Sequence, residues 1–138
     1  MNVAMAEHPN VQKIRDAFVA LGAGDLTGAL KDFAPAGVIH FNRQGPLGGV
    51  HMGVENIKVA LVADYILTDG TQQYHVQDIF ADDRHGVVVL RQTASRPDAA
   101  TLDLEGVLLL AFDSEGQVTD IWDLPSDREV QTRFFEGK

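Results

Sequence analysis

The chain has 138 residues and a mass of 15.0 kDa, the size of one compact domain that buries about two thirds of the surface its unfolded form exposes. A formal charge of −9, a pI near 4.8 and scattered Lys and Arg argue against nucleic acid and anionic membranes as partners, since both need clustered positive charge. The lack of cysteine excludes disulfides, zinc–thiolate sites and cysteine nucleophiles, and no apolar run approaches the roughly 18 residues of a membrane span.

The start, "MNVAMAEHPN", has no basic stretch followed by an apolar one, so no secretory signal is read and a cytoplasmic setting is expected. Residues 1–9 read as a frayed tail of a single domain spanning 1–138. From Asn10, the spacing of Val11, Ile14, Phe18 and Leu21 predicts an amphipathic helix that "GAG" stops. Asp25 then caps a short helix that buries Leu26, Ala29, Leu30 and Phe33 and ends before Pro35. The glycines of "LGAGDLTG" lack the preceding strand and the Gly-Lys-Ser/Thr ending of a phosphate loop, and they read as a helix stop.

"GVIHF" predicts a short strand, "RQGPLGGVHMG" a loop, and "VENIKVALVADYI" a helix with Val54, Ile57, Leu61 and Tyr65 inward. Four extended stretches follow: "QQYHVQDIFA", "GVVVLRQTA", "TLDLEGVLLLAF" and "QVTDIWDL", joined by turn sequences "DDRHG", "SRPDA" and "DSEG". "SDREVQTRFFEG" closes the chain as a capped helix. This order gives an α+β domain with helices on one face of a curved antiparallel sheet. Runs such as "GVVVL" and "GVLLLAF" call for cover on both sheet faces, and helices shield only one, so a homodimer is expected.

On "AGDL", "VIHFNRQGPLGGVHMG" and "GQVTDIWDLPSD" the chain resembles the nuclear transport factor 2-like superfamily, on its SnoaL-like branch beside ketosteroid isomerases and limonene epoxide hydrolases. The resemblance runs from Val11 to Phe135. It implies a cone-shaped fold whose curved sheet, with helices packed on its concave face, wraps a deep and mostly apolar pocket. Function varies widely on this fold, so it must be argued from the site.

Strand alternation sets Val38, His40 and Asn42 on one face of the first strand, and Val87, Val89, Arg91 and Thr93 together further on. Thr119, Ile121 and Asp123 share a face of the last strand, with Asp120 and Trp122 opposite. His40, Asn42, Arg91 and Asp123 are the candidate catalytic groups; Arg91 serves either the ligand or a salt bridge that locks the sheet. Phe18, Val38, Tyr65, Val89, Leu108 and Ile121 are read as substrate-binding walls, with His51 at the rim. Glu105, opposite Leu104 and Leu108, reads as a structural or interface residue.

The resemblance sharpens the chemistry. Phe18 stands where ketosteroid isomerases carry a hydroxyl-bearing tyrosine, Leu108 near their protonated acid, and no carboxylate follows the first strand at Asn42, so their reaction is not expected. Asn42, Arg91 and Asp123 fall near the amide, guanidinium and one carboxylate of the limonene epoxide hydrolases, but Thr93 replaces the second carboxylate and His40 the tyrosine. His40 with Asp123 could fill the histidine–aspartate pattern of the SnoaL-like cyclases. The expectation is a small-molecule-binding protein, read as a cofactor-free enzyme that performs acid–base isomerisation, cyclisation, hydrolysis or dehydration on an apolar or aromatic substrate. The alternative is a non-catalytic binding or interaction domain. No residue set has metal-ligand spacing, and no metal or other cofactor is expected.

Overall fold

The computed structural model describes residues 7–45, 47–98 and 100–136. Helix α1 (Pro9–Gly22) opens with Pro at its start, and the His8 ring accepts the Asn10 amide proton as its cap. His8 also reaches Asp83 at 2.7 Å, so this end of the expected tail is engaged; residues 1–6 lie outside the described residues. Helix α2 (Leu26–Ala29) is capped by Asp25, whose carboxylate accepts from the Gly28 amide.

The sheet holds six strands, β1 (Phe33–Phe41), β2 (Gly49–Met52), β3 (Gln73–Ala81), β4 (His85–Ser95), β5 (Thr101–Phe112) and β6 (Val118–Pro125), in the order β2-β1-β6-β5-β4-β3. It is α+β, curved and unclosed, with three corrections, the first being that the short helix expected to take in Phe33 ends at Ala29 and Phe33 opens β1. The sheet is mixed rather than antiparallel, because β1 runs parallel to β6. Part of the expected glycine loop is β2, which folds back antiparallel on β1 with Gly49 at φ 77°, an angle a side chain resists.

Helix α3 (Val54–Leu67) buries Ile57, Ala60 and Asp64, not Tyr65, which is 65% exposed. The helix is apolar nearly all round, so its period does not choose a face. The choice falls to Asp64, which must meet a buried cation. Helix α4 (Arg128–Glu136) packs on β5 and β6 and buries Gln131, Phe134 and Phe135. No helix among the described residues is long and apolar enough to cross a membrane.

Register fixes the two faces of the sheet. Phe41 lies beside Asp123, Asp123 beside Leu108, Leu108 beside Val88, and Val88 beside Ile79, so one row crosses five strands on the face under the helices. The next row, His40, Trp122, Leu109, Val87 and Phe80, faces away.

Candidate functional site

Between α1 and the inner face lies a cavity of about 110 Å³, walled chiefly by Phe18, Ile39, Phe41, Leu61, Leu108 and Ile121. Lys13, Asp32, Tyr74 and Asp123 are its polar members. Asp123 arrives there because it shares the row of Phe41 and Leu108. Its Oδ2 accepts from Gln131 Nε2 at 3.2 Å, and Gln131 also donates to Gln92 Oε1 at 3.0 Å. Gln92 Nε2 donates to Gln72 Oε1 at 2.9 Å, and Gln72 Nε2 donates to the Tyr74 hydroxyl at 3.3 Å. A ladder of amides thus ties the carboxyl on β6 to the phenol on β3.

Burial raises the Asp123 carboxyl above its ordinary value; the Gln131 hydrogen bond and the Arg43 charge oppose this, and the Asp64 charge adds to it. The Tyr74 phenol is likewise raised, by burial first and by Asp64 and Asp123 next. A carboxyl held in apolar surroundings with one amide donor is suited to exchange a proton with a bound molecule.

Beside this cavity, outside its lining, Arg43 and Asp64 form an ion pair with both side chains at 0% exposure. Arg43 Nη2 donates to the two Asp64 oxygens at 2.7 and 2.8 Å, and its guanidinium lies over the rings of Phe41 (4.3 Å) and Phe135 (3.7 Å). Burial raises the Asp64 carboxyl, with Arg43 pulling it back down.

Of the expected site residues, Asp123, Phe18, Leu108 and Ile121 line the cavity. The others stand elsewhere. His40 is on the outer face, stacked on Trp122 at 4.9 Å and bonded through Nε2 to Asp120 at 2.9 Å. Asn42 is exposed, and its carbonyl accepts from Arg128 Nε. Val38 and Val89 lie in the outer set; Val89 pairs with Val107. Arg91 is also outside, bonded to Asp103 and to Glu105. His51 sits on the inner side of β2, edge-on to Phe41 at 5.5 Å and outside the cavity lining. Alternation grouped these residues correctly along each strand but assigned β1 and β4 the wrong face.

Tyr74, Gln92, Gln131 and the Arg43–Asp64 pair were not anticipated. Alternation in "QQYHVQDIFA" carried a signal for Tyr74, since Gln73, His75 and Gln77 share one polar face and the residue between Gln73 and His75 points to the other. Among the described residues no group of three or more His, Asp or Glu side chains could hold a metal ion.

The raised Asp123 carboxyl has a consequence for stability. The folded chain keeps this proton to higher pH than the unfolded chain, whose aspartate titrates near 3.8. Relative to Asp123→Asn, the wild-type protein should be most stable below that pH and should lose the difference as pH rises through the folded-state value. Urea unfolding of both proteins from acid to neutral pH measures this; a difference that grew with pH would contradict it.

No family model matches the chain. The uncharacterized protein Rv0034 of Mycobacterium tuberculosis is 25% identical over 132 residues, 95% of this chain and 99% of that protein. Bal32a, from a soil-derived mobile gene cassette, superposes with a TM-score of 0.84 at 23% identity, over 91% of this chain and 95% of its own. TerC, co-crystallised with polyporic acid, gives 0.81 at 19% identity, over 94% and 99%. An NTF2-like protein of Burkholderia xenovorans LB400 gives 0.76 at 22% identity, over 94% and 97%.

Proposed function

The chain has the nuclear transport factor 2-like fold, and from that premise we propose that its cavity binds a small apolar or aromatic molecule on which Asp123 performs acid–base chemistry without a cofactor. The observation that carries this reading is the carboxyl of Asp123, raised by burial and facing walls that are otherwise nearly all apolar. Small-molecule sites are commonly apolar hollows with a few placed polar groups, and the complex of TerC with polyporic acid supports a small organic ligand on this fold. Isomerisation, cyclisation, and hydrolysis or dehydration all need a group that takes a proton from carbon or oxygen and returns it.

The experiment uses 4-phenyl-2-butanone in D2O. Asp123 takes a proton from the carbon beside the carbonyl, an enolate forms, and a deuteron returned to that carbon labels the recovered ketone. Exchange above the buffer rate supports the enzyme; binding without exchange supports the alternative of a non-catalytic ligand-binding domain.

A homodimer through the outer sheet face belongs to the same reading. The helices leave Val87, Val89, Val107 and Leu109 on that face only half-buried, with Phe80 at 59% exposure. Sedimentation at micromolar concentration should give twice the chain mass of 15.0 kDa; a monomer at that mass would remove the dimer.

A further inference from the structure

The inner cavity is small, since drug-sized molecules occupy pockets of about 300 Å³ or more. At about 110 Å³ it approaches the roughly 150 Å³ in which an apolar cavity takes one benzene ring. A fused polycycle does not fit within it. Beside it lies a second hollow, of about 640 Å³, and Phe18, Leu21, Leu61 and Tyr74 line both. Phe18 and Tyr74 meet edge to face, with centroids 6.1 Å apart and planes at 71°. These four side chains stand between the two compartments.

The compartments differ in chemistry. The outer one is bordered by Gln72, Gln73, His75 and the Tyr65 ring, with no Lys, Arg, Asp or Glu in its lining. Gln72 is committed to the amide ladder and His75 Nε2 to Thr93, at 2.9 Å. Gln73 pairs with Thr93 and so points to the outer sheet face, whereas the Tyr65 hydroxyl has no hydrogen-bond partner among the described residues. A hydroxyl both donates and accepts, which suits a carbonyl or hydroxyl; without a cation, nothing there offsets the desolvation of a carboxylate or phosphate.

We propose that the site takes a two-part ligand, a single ring or short branched alkyl end in the inner cavity beside Asp123, joined between Phe18, Leu61 and Tyr74 to a neutral hydrogen-bonding end in the outer hollow. This rests on the ligand-binding reading above and narrows its substrate class: uncharged, elongated, one ring wide at its deep end.

The test is a nuclear magnetic resonance titration of the full chain with three probes, toluene, 4-phenyl-2-butanone and 3-phenylpropanoate. The ketone should bind about tenfold more tightly than toluene, the gain of one or two neutral hydrogen bonds and the linker contacts. The carboxylate should bind no better than toluene. Val62→Trp fills the outer hollow from a position 44% exposed and absent from the inner lining; it should leave toluene binding unchanged and remove the ketone's advantage. Tyr65→Phe, which removes the hydroxyl alone, should remove part of that advantage, about threefold. Equal binding of toluene and ketone, an advantage that survives Val62→Trp, or preference for the carboxylate would overturn the two-part ligand while leaving the apolar site standing. If no probe shifts any cavity resonance up to its solubility limit, both readings fall.

Discussion

Asp64→Asn is expected to destabilise the protein by about 3 to 5 kcal/mol, because it leaves a buried guanidinium without its counter-charge. Arg43 cannot escape by losing its proton, since a guanidinium stays charged throughout the accessible pH range. Its Nε and Nη1 have no hydrogen-bond partner among the described residues, so Asp64 carries most of the compensation, helped by the ring faces of Phe41 and Phe135. The double variant Arg43→Met with Asp64→Leu should recover most of the loss, because removing both charges removes the desolvation cost that the pair itself must offset. Urea unfolding of the two variants measures both effects. A loss below about 1 kcal/mol for Asp64→Asn would show that solvent reaches the pair.

Asp123→Asn should act on chemistry instead. The amide is isosteric, its oxygen can still accept from Gln131 Nε2, and stability at neutral pH should change by less than about 1 kcal/mol. What it loses is proton acceptance. Deuterium exchange into 4-phenyl-2-butanone should fall by about two to four orders of magnitude, with affinity for the ketone retained. An exchange rate that survived the substitution would move the base elsewhere, with Asp32 the other carboxyl on the cavity wall. The two aspartates, both buried carboxyls near one arginine, therefore separate: one variant unfolds readily and the other folds but does not turn over.

The helices, the four-strand meander and the inward position of Asp123 were legible because each rests on local pattern: caps at Asp25, turns at "DDRHG" and "DSEG", alternation through Ile121 and Asp123. The choice of face on β1 and β4 was not. In "GVVVLRQTA" both alternating sets begin apolar, and only the pairing of Val88 with Leu108, and of Leu108 with Asp123, decides that Arg91 lies outside. That information sits in residues far apart along the chain. His40 was misplaced for the same reason, since Phe41, not His40, aligns with Asp123. Gln92, Gln131 and Asp64 stayed hidden because polar side chains are ordinarily read as surface, and each is buried only by virtue of another polar group brought to it by the fold.

The row that joins Phe41, Asp123, Leu108 and Val88 restricts how the chain can change in length. Deleting or inserting one residue within β6 ahead of Asp123 would exchange its two faces, carrying the carboxyl out and Trp122 into the hollow. Such an event inside β4 or β5 would break the same row from the other side. Gains and losses of residues leave the row intact when they fall in the turns at 82–84, 96–98 and 113–117, where no side chain belongs to the row. Within the strands the cavity can be reshaped only one substitution at a time.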